Sequence, residues 1–398
     1  MPPVLVLSVC AVAARFAANP KLDSSTRQFL RGEEWASHAR DICTRRYEWP
    51  NITILTCLLI LGLHEFGTCQ GGRSWALGGQ AIRMAFALQL HKDFEYDPLV
   101  KGGKQKLSFI DREIRRRIMW ACFLMDRFNS SGTDRPMFMK EETINIPLPV
   151  KERYFQLDMP APTETLDGRV LPGLEGENGV ADNPRDNMGV AAFMVRVIAL
   201  WGRIISYINH GGRDQDASEF GKLLKEAEEF PASLPNSMKY SADNLSLHST
   251  ENIANQFLLL HIAIQHNILF LNRAAVTSTE QDGTTETTQF VAHAQAKSLA
   301  AANKISDFLR EAEGSRHLIS APFAGYCAFT AATVHIQAMF SRDSSQKMTA
   351  EANSGINIKY LRKMMKHWGT FHLLVENIRA LYREAMDATR SGNQAEGD

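Results

Sequence analysis

His64 and Glu65 open the one stretch of this chain that begins like a metal-hydrolase helix. In such helices two imidazoles one turn apart hold a metal and the glutamate activates water. The run here is His64-Glu65-Phe66-Gly67-Thr68, so threonine stands where the second imidazole belongs. A single imidazole on a helical face holds no metal, and the pair reads as core. His261 and His266 are five residues apart, which puts them on different faces of a helix. The cysteines Cys10, Cys43, Cys57, Cys69, Cys122 and Cys327 form no Cys-x-x-Cys pair. A zinc site of the usual spacing is therefore excluded, and thiols inside apolar runs read as reduced core residues. Gly71-Gly72, Gly78-Gly79 and Gly102-Gly103 read as turn or packing glycines, and no Gly-x-Ser-x-Gly elbow occurs. No catalytic residue and no metal ligand is assigned.

Two charged groupings remain. Arg115, Arg116 and Arg117, with Lys104 and Lys106, form the strongest basic cluster. It is either a patch for a partner or for DNA phosphates, or a first helical turn paired with acids such as Asp111 and Glu113. The absence of aromatic or Asn/Gln companions for base contact favours the second reading. Further on, Asp126 and Arg127 end a very apolar run, and Arg135 precedes Pro136 after a turn. Unpaired charge there is costly, so a hydrogen-bonded ion pair fixing the turn is expected. Lys plus Arg and Asp plus Glu both number 44, for a formal net charge of zero. A chain that grips DNA by itself carries a basic excess, so any DNA binding is expected to come from elsewhere.

The elements that position these groups read as helical. Ser108 with Asp111 forms a capping-box-like start. Ile114, Ile118, Ala121, Cys122 and Met125 follow at three- and four-residue spacing, with Trp120, Phe123 and Leu124 making the later turns apolar all round. A helix with no wet face belongs in the middle of a bundle. Ala81, Ile82, Ala85 and Leu88 mark the helix before it, and Phe257–Phe270 and Leu361–Leu381 repeat the spacing. Strand-type runs are lacking, so the fold class is all-α, a large multi-helix bundle compatible with solenoid-like helix pairs. Ile52–Leu63 is apolar over only about half of a bilayer span and reads as a core helix, with no membrane partner. Met159–Asn187, rich in Pro, Gly and acid, predicts a mobile surface insertion that folding does not require. Insertions are likewise expected near 277–288 and 341–355, and 391–398 is a polar tail.

The stretch from Asp111 to Pro149 also resembles the signature of the fungal-specific transcription factor domain, the helical middle homology region of binuclear zinc-cluster regulators. The matching residues are Arg115, Arg116, Arg117, Trp120, Phe123, Asp126, Arg127, Arg135, Pro136, Ile146, Pro147, Leu148 and Pro149. Pro3–Ala17, Trp75–Asp93, Ala321–Ile336 and Tyr360–Glu384 are similar to other blocks of the family, in the expected order. Asp134 stands where the family usually has glycine, and the six-cysteine zinc cluster is missing.

The resemblance implies one regulatory domain over 1–390 and a nuclear location. It further implies control of RNA polymerase II transcription, responsive to a small-molecule inducer or a partner. Zinc is then expected only in the family's N-terminal cluster, either because the chain is a fragment or because the module has been lost. DNA would be reached only through a missing or partner-supplied cluster, with homo- or heterodimerisation and transcriptional co-regulators as further partners. Arg116, Trp120, Asp126, Arg127, Arg135, Pro136, Pro147 and Pro149 are the motif residues, in structural roles. The alternative is an α-helical enzyme or small-molecule-binding protein of secondary metabolism.

Overall fold

The computed structural model describes residues 1–18, 27–98, 106–132, 135–172, 181–209, 217–279, 285–315, 319–341 and 343–395. These residues form fourteen α-helices, and among them no β-strand occurs beyond isolated bridges. The fold is all-α. The chain divides into two compact units, residues 1–199 with 366–369, and residues 200–365 with 370–398.

The first unit carries α1 (Pro3–Ala13), α2 (Glu33–Arg46), α3 (Ile52–Gly67), α4 (Gly71–Ala87), α5 (Phe109–Asn129) and the short α6 (Glu152–Gln156). Asn51 caps α3 by accepting from the Ile54 N–H at 2.8 Å. Ser108 caps α5 by accepting from the Asp111 N–H at 3.1 Å, and its hydroxyl donates to the Asp111 carboxylate at 2.7 Å. Such caps satisfy N–H groups that a helix start leaves unpaired. α3 is buried nearly all round, through Ile54, Leu55, Cys57, Leu58, Leu59 and Leu61. It packs on α1, α4 and α5.

α7 (Val190–Asn209) carries the chain from the first unit into the second. It is the one described helix long and apolar enough to cross a membrane, but 67% of its apolar window is buried inside the protein, as in a core helix. The second unit holds α8 (Ala217–Ser233), α9 (Ala242–Thr250), α10 (Ala254–Thr279), α11 (Thr285–Gly314), α12 (Pro322–Ala338), α13 (Ser344–His367) and α14 (Phe371–Ala395). α10 packs on both α11 and α12, and Leu200, Ile204, Leu223, Ala227 and Leu271 form one of its cores. Phe371 fills the space beside Gly325, where any Cβ would meet its ring at 2.3 Å.

Three expected irregular segments differ from their sequence reading. Ser344–Gly355 is not a linker but the first half of α13. Its Ala350, Asn353 and Ser354 are buried, and Asn353 bonds Asn303 and Arg310 at 2.9 Å each. Asp343 accepts from the Ser345 N–H at 2.9 Å, so a polar composition here marks a capped helix with a hydrogen-bonded face. Thr277–Thr279 end α10 and Thr285–Thr288 begin α11, while 280–284 lie outside the described residues. The polar tail is helical as far as Ala395.

Within 159–187 only Pro184–Asn187 is helical among the described residues, and 173–180 lie outside them. The rest is bonded into the first unit rather than a free excursion. The buried Thr163 hydroxyl donates to the Leu148 carbonyl at 2.6 Å, and the buried Asn187 amide donates to the Pro162 carbonyl at 3.1 Å. Those side chains supply the bonds that a helix would otherwise give this backbone.

Candidate functional site: the Asp126 corner and its cavity

α5 is bonded along its whole length. At its start the buried Arg116 grips Asp93 with two bonds, 3.1 and 2.9 Å long. Arg112 reaches the same carboxylate at 2.5 Å, and Arg115 reaches Asp97 at 2.6 Å. Arg117 bonds Glu113 at 2.8 Å, Glu152 at 2.7 Å and the Val150 carbonyl at 3.0 Å. Lys106 pairs with Glu95 at 2.7 Å, and Lys104 lies outside the described residues. The described cations of the cluster are thus matched by acids, mostly Asp93, Asp97 and Glu95 rather than Asp111. Paired arginines hold Asp93 below its ordinary range against the effect of burial, whereas burial pushes the fully enclosed Glu113 up. One turn further along, the Trp120 indole donates to the Pro147 carbonyl at 2.9 Å, which pins the buried Ile146–Pro149 exit against the helix.

The end of α5 forms a tighter knot. Asp126 accepts from the Phe138 and Met139 N–H groups at 3.1 and 2.9 Å, and from Arg127 at 2.8 Å. Arg127 in turn donates to the Met139 carbonyl at 2.9 Å and lies over the Phe123 ring, 4.1 Å from its centre. Burial raises the Asp126 carboxyl and lowers the Arg127 guanidinium, while their bonds to each other and to the backbone oppose both shifts. The ion pair anticipated at this turn is Asp126 with Arg127. Arg135 is exposed and stands outside it, and the exposed Pro136 contributes its carbonyl to the Ser130 hydroxyl at 3.0 Å.

Asp126 and Phe138 of this knot line a cavity of about 460 Å³. Trp75, Gly79, Ile82, Arg83 and Phe86 of α4 face it, with Asp126 and Asn129 of α5 and Phe138 from the turn. The two adjacent glycines divide the work. A Cβ on Gly78 would meet the Asn129 amide at 2.6 Å, so Gly78 allows the helices to approach; one on Gly79 meets nothing within 4 Å, so Gly79 opens the space. Trp75 and Phe138 are exposed at 38% and 54%, with ring centres 6.0 Å apart. Arg83 is exposed, and among the described residues it makes no ion pair. In the sequence both glycines read as turn or packing residues, and nothing in their spacing distinguishes the one that opens the cavity.

The other candidates resolve differently. His64 and Glu65 are fully buried. His64 Nδ1 lies 2.8 Å from the Arg15 guanidinium and Nε2 lies 3.1 Å from Glu33, while Arg40 pairs with both Glu33 and Glu65. An arginine occupies the side a metal would need, and burial lowers His64. Arg15 also donates to the His367 carbonyl at 3.3 Å and lies over the Trp368 ring at 4.9 Å. The Gly369 N–H donates to the Gly67 carbonyl at 2.8 Å. A Cβ on either glycine would strike this knot, Arg15 and Trp368 on one side and Phe29 and Cys69 on the other. The result is a clasp holding 366–369 in the first unit. His261 and His266 do not converge: His261 meets the Met238 carbonyl at 3.1 Å, and His266 lies among Phe270, Phe323 and Tyr326. Among the described residues no three His, Cys, Asp or Glu side chains gather as a metal site.

The sequence profile of the fungal specific transcription factor domain matches residues 1–260. The chain belongs to this family. Among curated proteins it is 63% identical over 404 residues to the Zn(2)-C6 fungal-type transcription factor FTF1c of Fusarium oxysporum f. sp. lycopersici, covering 100% of this chain and 43% of that protein. It is 64% identical over 400 residues to FTF2 of the same fungus, covering 98% of this chain and 37% of that protein. An uncharacterized transcriptional regulatory protein of Schizosaccharomyces pombe is 31% identical over 449 residues, covering 100% of this chain and 45% of that protein. The chain thus spans less than half the length of these relatives. It is a fungal transcription factor regulatory domain.

Proposed function

We propose that this domain governs a nuclear regulator of RNA polymerase II transcription, and that it does so through the Asp126 cavity. The single observation that carries this reading is the placement of the cavity. Asp126 and Phe138 of the bonded knot line it, so an occupant touching Phe138 acts on the backbone bond that holds Asp126. DNA contact is assigned to a missing or partner-supplied zinc cluster, because the described basic cluster of this chain is already matched by acids. Co-regulators are its further partners. The domain extends beyond the matched 1–260 towards 390, since 366–369 complete the first unit.

No catalytic role is assigned. Asp126, the one carboxylate on the cavity among the described residues, already accepts from Phe138, Met139 and Arg127 and has little capacity left to move a proton. The test is a reporter driven by this chain fused to a heterologous DNA-binding domain. Trp75→Ala is expected to change reporter output while the purified variant melts within a few degrees of wild type. Equal output from both proteins rejects the reading. The purified chain is expected to shift no DNA in a gel and to hold no stoichiometric zinc by metal analysis.

A further inference from the structure

We infer that the Asp126 cavity takes a flat aromatic monoanion, a ring system bearing one carboxylate, a deduction that rests on the effector reading above. Charge decides the sign. Asp126 faces the cavity but is neutralised by Arg127 at 2.8 Å, and both its oxygens accept backbone N–H bonds. What remains is Arg83, a guanidinium on the cavity wall with no ion pair among the described residues. Guanidinium binds carboxylate through two parallel N–H bonds, so this wall selects an anion over a neutral or cationic ligand.

Shape decides the rest. Trp75, Phe86 and Phe138 line it with aromatic rings, and Ile82 adds an aliphatic surface. Trp75 and Phe138 meet at 50°, so a planar ligand lies against the faces of one or both rings rather than sandwiched between them. The Asn129 amide adds one neutral polar group. A cavity of about 460 Å³ suits a small molecule of two or three fused rings and is too small for a folded peptide. Gly79 gives a clean way to close it. A larger side chain there enters open space, and the change from glycine favours the helix.

The experiment is calorimetric titration of the purified chain with three probes: 2-naphthoate, its neutral analogue 2-naphthylmethanol, and the non-aromatic anion hexanoate. Expected is saturable 1:1 binding of 2-naphthoate, at least about tenfold tighter than either of the other two, as loss of a charge-assisted bond or of ring stacking implies. Arg83→Ala should bring the acid to the level of the alcohol, and Gly79→Leu should abolish binding of all three, both at an unchanged melting temperature. Absence of saturable 2-naphthoate binding overturns the inference, as does equal affinity for acid and alcohol, or binding that survives Gly79→Leu. Tighter binding of the alcohol rejects the anionic class but leaves the effector reading standing. A reporter blind to Trp75→Ala rejects the effector reading whatever the calorimeter shows.

Discussion

Arg15 and Arg127 are both buried arginines lying over aromatic rings, but their surroundings differ in a way that separates fastening from function. Arg15 is held by core alone, namely His64, the His367 carbonyl and the Trp368 ring. Arg127 completes an equally bonded knot, yet the carboxylate it neutralises faces an open cavity. One arginine closes the first unit by holding 366–369. The other shapes a wall against which a ligand can rest. Buried charge is thus no mark of a site by itself; what distinguishes the corner is vacant volume beside exposed rings and a cation without an ion pair among the described residues.

The comparison breaks first at the clasp. Arg15→Ala is expected to cost about 3–5 kcal/mol, because it removes a buried charge together with the packing of its stem against Trp368. Denaturant unfolding of the purified variant measures this, and a loss below about 1 kcal/mol would make the clasp an ornament. At the corner, Asp126→Ala should cost about 3 kcal/mol by leaving Arg127 and two N–H groups unpaired. Arg135→Ala should stay within about 0.5 kcal/mol, since the exposed side chain stands outside the pair. Equal losses at 126 and 135 would restore Arg135 as the partner of Asp126.

A smaller effect distinguishes the second unit, whose interior titratable groups include imidazoles rather than ion pairs. Burial lowers His261 to about 4, His266 to about 3 and His335 to about 4. All three remain neutral in the fold and take up protons once unfolded below their ordinary value of 6.5. The unfolded chain therefore binds more protons there, and stability falls as pH drops from 6.5 towards about 4. His266→Leu should flatten that slope by about 1.4 kcal/mol per pH unit, measured by denaturant unfolding between pH 6.5 and 5. An unaltered slope would mean that His266 is not titrating. Trp120→Phe should cost about 1 kcal/mol through loss of the Pro147 bond, measured by the same unfolding.

Much of this was legible in the chain itself. The cap at Ser108 and the charge pair at the end of α5 follow from local spacing, because each involves residues within one helix or one turn. The expected helix with no wet face does not hold, since Ala121 is exposed and Ile114, Ile118 and Met125 are only half-buried. The buried face instead carries Glu113, Arg116, Met119, Trp120 and Phe123. The partners of the arginine cluster were legible only in kind. Acids were expected close by, but the main ones, Asp93 and Asp97, precede α5 by a loop. The clasp was not legible, since Arg15, His64 and Trp368 come from three distant parts of the sequence. The polar start of α13 hides its helix because Ser, Thr and Asn usually compete with helix backbone; here Asn353 and Asn357 bond Asn303, Arg310 and Ser306 of α11 instead. The cavity was hidden for a further reason. Gly78 and Gly79 are identical in sequence, and only the position of Asn129 decides which one packs and which one opens space.

The most direct test of the account is the reporter output of the Gly79→Leu fusion, read beside its melting temperature. A Cβ at position 79 meets no heavy atom within 4 Å, so the added side chain grows into the cavity volume rather than into the helix packing. The account predicts an altered output from a protein that melts as wild type does. An output indistinguishable from wild type would contradict it and leave the Asp126 corner as fastening alone, no different in kind from Arg15.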